Sequence, residues 1–161
     1  MNRLLLFVTA ALLAPVVLAP SVIARARQTA GAQAADIVPL SIATRHGRRN
    51  FRVEVAATPA QQERGLMFRT SLAPDAGMIF PMSPARPATF WMKNTLIPLD
   101  MIFVRENGTI ARIAANTRPE TLDLVDSGEP VVAVLEIAGG GAAKQGIAAG
   151  DRVRWPGGPT G

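Results

Sequence analysis

The chain has 161 residues, with 17 basic and 12 acidic side chains, one histidine, and neither cysteine nor tyrosine. That length allows one domain of ordinary size, and the missing cysteines exclude disulfides, thiolate nucleophiles, zinc–sulfur centres and a lipid-modified cysteine anchor together. The lone His46 lies among Arg45, Arg48 and Arg49, a poor setting for the neutral imidazole that a catalytic base needs, which argues against serine–histidine triads and histidine metal clusters.

In chain order, the first predicted element is a secretory signal. Arg3 supplies the positive start, and residues 4–14 form an apolar run with only Thr9 polar. Small residues at Ala24, Ala26 and Ala34 offer three cleavage positions. The competing reading is an uncleaved anchor: residues 4–24 carry no charge and are long enough to span a bilayer, although Pro15 and Pro20 would interrupt a helix. The expectation is an exported protein, periplasmic or extracellular, that meets a membrane only through this segment if it is retained. Residues 1–34 would then be signal and linker, and residues 35–161 a single β-rich domain.

Three of the basic residues, Arg3, Arg25 and Arg27, lie in that leader, so a processed chain carries 14 basic against 12 acidic side chains. The basic balance is therefore not a nucleic-acid footprint. The one cluster, Arg45, Arg48, Arg49 and Arg52 around Gly47, fits a solvated hairpin tip and lacks the stacking aromatics of a single-strand binder. No nucleic-acid partner is expected.

Residues 37–44 and 51–56 read as a β-hairpin, with Phe51, Val53 and Val55 alternating against Arg52 and Glu54. Thr58, Pro59 and Gln61 have the spacing of a capping box with proline at the first helical position, which predicts a two-turn helix over 59–64 before Gly65. Residues 78–80 read as a short strand ending at Pro81, followed by a proline-rich stretch and a strand over 89–93. Residues 99–104 and 109–115 flank an Asn107-Gly108 step, a strong hairpin signal. Residues 116–130 read as a polar surface loop, 131–137 as the most apolar strand, and 152–155 as the last one. Short strands with few crossover helices favour a mainly β fold, a small antiparallel β-sandwich or barrel with one or two short helices.

Four segments form an ordered signature: Arg64-Gly65-Leu66-Met67-Phe68-Arg69, Gly77-Met78-Ile79-Phe80, Phe90-Trp91-Met92-Lys93-Asn94-Thr95 and Pro98-Leu99-Asp100-Met101-Ile102-Phe103. Together with Leu135-Glu136 and Gly150-Asp151-Arg152-Val153, they resemble the domain of unknown function 192 family over residues 38–154. The resemblance implies a small β-rich domain, frequently exported. It implies no activity.

Within the signature, Phe90 and Met92 point to the core if residues 89–93 are a strand, while Trp91 and Lys93 point outward as a partly exposed patch. Asn94 and Thr95 add polar groups at its end. Asp100 and Glu136 sit in apolar strands, where a carboxylate is costly unless paired. Lys93, Arg64, Arg69 or backbone amides could pair with them as scaffold, or the group could line a ligand pocket. The candidate ligand-binding residues are therefore Trp91, Lys93, Asn94, Thr95, Asp100 and Glu136, with no catalytic residue assigned.

No cofactor is implied. Gly139, Gly140 and Gly141 lack the lysine–hydroxyl ending of a phosphate loop, and Met67, Met78, Met82, Met92 and Met101 are read as core fillers ahead of copper(I) ligands. Three functional classes fit. A non-catalytic module binding a small molecule or envelope component ranks first. A hydrolase or lyase using Asp100 and Glu136 as a carboxylate pair, and a structural interaction protein of the envelope, are the alternatives.

Overall fold

The computed structural model describes residues 35–160. The predicted signal over residues 1–34, with Ala24, Ala26 and Ala34, lies outside the described residues.

β1 (Ile37–Thr44) and β2 (Gly47–Val55) form the predicted hairpin, paired from Ile37 opposite Glu54 to Thr44 opposite Gly47. The second strand starts earlier than its alternation suggests, because the ladder runs through the arginine-rich tip. α1 (Pro59–Arg64) begins as its sequence dictates: Thr58 Oγ1 accepts from the Gln61 N–H at 3.2 Å, and Gln61 Oε1 accepts from the Thr58 N–H at 2.9 Å. Each end thus satisfies a donor that the first helical turn leaves open. Gln62 then ties the helix down, its Nε2 donating to the carbonyls of Ala56 and Pro81.

β3 (Ala76–Phe90) runs parallel to β2, so α1 lies in a crossover between two strands of one sheet. The remaining elements are β4 (Leu99–Val104), β5 (Ile110–Thr117), β6 (Val125–Ala138), α2 (Gly141–Gln145) and β7 (Arg152–Arg154). They complete a seven-stranded sheet of order β5-β4-β6-β3-β2-β1-β7. The fold is mainly β with two short helices, as expected. Its β2–β3 pair is parallel, a departure from the all-antiparallel expectation that the α1 crossover makes possible.

The sheet is curled into a half-barrel, and its two edge strands meet. Thr109 bridges Arg152, the Ile110 N–H donates to the Asp151 carbonyl at 2.8 Å, and the Val153 N–H donates to the Gly108 carbonyl at 2.9 Å. Contact between the edges blunts the aggregation hazard of open strands. Inside the curl lies a core to which every strand contributes, including Leu40, Phe51, Ile79, Ile102, Ile110, Leu135 and Val153. A second core covers the other face of β3, β4 and β6. It contains Met78, Phe80, Met92, Met101, Phe103 and Val134, roofed by Leu66 after α1 and by Ile97 in the segment before β4. Full burial of such side chains stabilises by about 1.5–3 kcal/mol each.

β3 and β6 run furthest beyond their predicted lengths. β3 continues through Pro81, Pro84 and Pro87 to Phe90, with register shifts between Pro81 and Arg86 and between Pro87 and Thr89. Bulges are where a ladder tolerates residues without an N–H. β6 begins at Val125, inside the predicted surface loop, because Phe90 and Thr89 pair with Val125 and Asp126.

A cleft beside a buried carboxyl

Side chains on β6 alternate between the two cores. Leu135 and Ile137 enter the curl, whereas Val134 belongs to the outer core, and Glu136 shares its face. Glu136 lies opposite Met78 of β3 and Met101 of β4. It is 4% exposed, and no group of the described residues hydrogen-bonds to its carboxyl or pairs with it. Burial alone pushes its pKa up to about 8, because a charge here would be desolvated without compensation. At neutral pH the group is a neutral acid with one O–H to donate.

The small exposure of Glu136 opens into a narrow neck of about 40 Å³, walled by Arg64, Leu66, Met67, Phe90, Trp91 and Thr95. Such a space accepts about two water-sized groups. The neck adjoins a wider groove of about 390 Å³, with which it shares Gln62, Glu63, Phe80, Phe90 and Trp91. Met82 and Leu124 extend the apolar wall of the groove, and Arg86 and Thr89 stand at its polar side. Phe80 and Phe90 meet edge to face at 5.2 Å between centroids, a geometry favoured by their quadrupoles. The result is a groove with a mainly apolar wall that leads into a neck of mixed polarity, with the Glu136 carboxyl at its inner end.

Asp100 behaves differently. Its Oδ1 accepts from the N–H groups of Asn116 at 2.6 Å and Gly140 at 2.8 Å, and its Oδ2 from that of Ala142 at 2.8 Å. α2 has no side-chain cap of its own, so Asp100 satisfies its first amides from a different strand. This is the backbone-amide scaffold foreseen for one of the carboxylates. The predicted ionic partners are engaged otherwise: Arg69 holds Glu54 through two bonds of 2.6 and 2.7 Å.

The structure brings together only part of the predicted site. Trp91, Thr95 and Glu136 line the neck. The strand expected over 89–93 ends at Phe90, so Trp91 sits at the strand's end and Phe90 becomes a cleft wall as well as a core residue. Lys93 is exposed, with its Nζ 5.2 Å from the centre of the Trp91 ring. Asn94 has φ 55°, its carbonyl accepts from the Phe68 N–H at 2.8 Å, and its Nδ2 lies 3.8 Å from Met67 Sδ. It braces the segment that carries Trp91. Asp100 is on the opposite face of the sheet, so the proposed Asp100–Glu136 pair does not converge.

Sequence reasoning missed Gln62, Glu63, Arg86 and Leu124. Their approach depends on the parallel β2–β3 pairing and on β3 continuing through its prolines, neither of which leaves a local signal.

The chain is similar to known proteins over most of its length. The DUF192 family model, described as an uncharacterised ACR, matches residues 41–155. A crystal structure from Sinorhizobium meliloti 1021, described as a candidate transcription regulator, is 40% identical, with a TM-score of 0.76 over 79% of this chain and 99% of that one. A protein of unknown function from Novosphingobium aromaticivorans DSM 12444 is 50% identical, with a TM-score of 0.72 over 74% of this chain and 85% of that one. No curated protein matches.

Proposed function

This chain belongs to the DUF192 family, and from that premise we propose that it is a non-catalytic module that binds a small, mainly apolar molecule in the cleft beside Glu136. The observation that carries the reading is the carboxyl itself, nine-tenths buried and without a hydrogen-bond partner, bordering open space. A buried polar group left unsatisfied costs about 1–3 kcal/mol, and a ligand acceptor reaching into the neck would recover that cost. Ligand sites are commonly concave, largely apolar and provided with a few placed polar groups.

Export through residues 1–34 is part of this proposal and places the ligand among envelope or extracellular molecules. The hydrolase or lyase alternative loses its support, since its two carboxylates leave opposite faces of the sheet. One neighbour's description as a regulator would call for a nucleic-acid surface. The arginines available for it, at the β1–β2 tip, include Arg49, whose Nε donates to the Gln145 carbonyl at 2.7 Å, and the tip offers no stacking aromatic. We assign it no such role.

The test is a thermal-shift screen of envelope metabolites on the protein and on its Glu136→Met variant. Methionine fits between Met78 and Met101 and fills the neck without a donor. A compound that raises the midpoint of the wild type and not of the variant supports the reading. Compounds that shift both equally, or a blank screen, count against it.

A further inference from the structure

We infer that the cleft selects an organic acid of a particular shape: a slender apolar body with a carboxylate at its outer end and an uncharged carbonyl oxygen at its inner end. This rests on the cleft being a ligand site and goes on to name the ligand's chemical class.

Arg86 defines the outer end. Its side chain borders the wide part of the groove, and no acid or carbonyl of the described residues pairs with it. A free guanidinium presents a planar fork of donors that matches a carboxylate. Arg64 borders the neck as well, and among the described residues that line the opening Glu63 is the acid that opposes them. The mouth is therefore net positive and steers anions inward. A ligand cation is further disfavoured because Lys93 already lies over the Trp91 ring, occupying a face on which a cation would be held.

Glu136 defines the inner end. Among the described residues, Glu63 and Arg64 from the α1 side, Arg86 from β3 and Lys93 over the Trp91 ring are the charged groups around the cleft, while the neighbouring β3 and β4 positions present Met78 and Met101. Among the described residues, no buried cation stands ready to ionise the acid. A protonated carboxyl bonds well to a carbonyl oxygen, which needs a donor and brings no charge into the neck.

The sheet register sets the length. Arg86 is opposite Val131 and Met78 is opposite Glu136. At about 3.3 Å per residue, the β6 run from Val131 to Glu136 spans roughly 16 Å. Both side chains take up part of that distance, which leaves room for a chain of about eight carbons, at roughly 1.25 Å per bond, between the two ends.

The experiment is calorimetric titration of the full chain with three probes of matched length: monomethyl suberate, which has a carboxylate and an ester carbonyl; octanoate, which lacks the carbonyl; and the methyl ester of ω-aminooctanoic acid, which replaces the anion by a cation. Monomethyl suberate should bind tightest at neutral pH, with octanoate about fivefold weaker for want of one hydrogen bond. Arg86→Gln should weaken both acids about threefold, as loss of an exposed charge pair does, and should not weaken the amino ester. Affinity for monomethyl suberate should fall as pH rises past about 8, and Glu136→Gln, which keeps an N–H donor, should remove that fall. If the amino ester binds as tightly as the acids, or octanoate matches monomethyl suberate, the class named here is wrong while the cleft remains a ligand site. If no probe binds but the thermal-shift screen yields cleft ligands, only this inference fails. If both are blank, the cleft reading fails with it.

Discussion

Asp100 and Glu136 lie on adjacent strands one register step apart: Asp100 is opposite Ile137, and Glu136 is opposite Met101. Neighbouring positions on a strand face opposite ways, so the two carboxyl groups leave the β4–β6 pair on opposite faces. One is surrounded by backbone amides and serves the fold. The other is left without a partner beside a cleft.

Asp100→Asn should therefore be a stability mutation. The amide keeps one acceptor and turns an N–H donor toward amides that are donors themselves. Hydrogen bonds to a charged group contribute about 1.5–3 kcal/mol each, and the loss should be about 3 kcal/mol in urea unfolding. Ligand binding by the folded fraction should not change.

Glu136 makes stability fall with rising pH. Its folded pKa, about 8, exceeds its ordinary 4.5, so between those values the folded chain holds a proton that the unfolded chain has released. Stability from this group is full below pH 4.5 and is lost through the window up to about 8, with a slope of about 1.4 kcal/mol per pH unit. Subtracting the unfolding free energy of Glu136→Gln from that of wild type across this range isolates the slope. A flat difference would contradict the burial argument.

Met92 is 1% exposed in the outer core, and Thr117 Oγ1 lies 3.2 Å from its sulfur. Met92→Ala should cost about 2–5 kcal/mol, whereas the volume-conserving Met92→Leu should cost under about 1.5 kcal/mol. Denaturant titration of both variants checks the contrast.

Gly77 and Gly141 should respond oppositely to alanine. A Cβ on Gly77 would lie 2.5 Å from the Glu136 carbonyl oxygen, a backbone atom held in the β3–β6 ladder, while one on Gly141 would meet Ile137 at an ordinary 3.4 Å. Gly77→Ala should destabilise by about 1–3 kcal/mol. Gly141→Ala, at the start of α2, should be neutral or stabilise by up to about 1 kcal/mol. Melting midpoints of the two variants measure this directly.

What could be read from sequence follows the range of the interactions involved. The capping box at Thr58 and Gln61, the β1–β2 hairpin and the span of β4 are set by residues close in the chain, and each was foreseen. The prolines of β3 conceal a strand because bulges accommodate them, and a bulge is a property of two strands. The facing of Asp100 and Glu136 depends on how residues 36 apart come into register. Periodicity within either strand carries no information on that. Glu136 was identifiable as an acid in an apolar strand, and only the fold shows that its neighbours are Met78 and Met101.

The buried, ligand-facing acid is tested most directly by carbon NMR of the protein with isotope-labelled glutamate carboxyl carbons, titrated with and without a cleft ligand. The chain has six glutamates, at positions 54, 63, 106, 120, 129 and 136. One resonance, absent from Glu136→Gln, should titrate near 8 and shift when ligand is added. A Glu136 resonance that titrates near its ordinary 4.5, or that is unmoved by a saturating ligand, would contradict it.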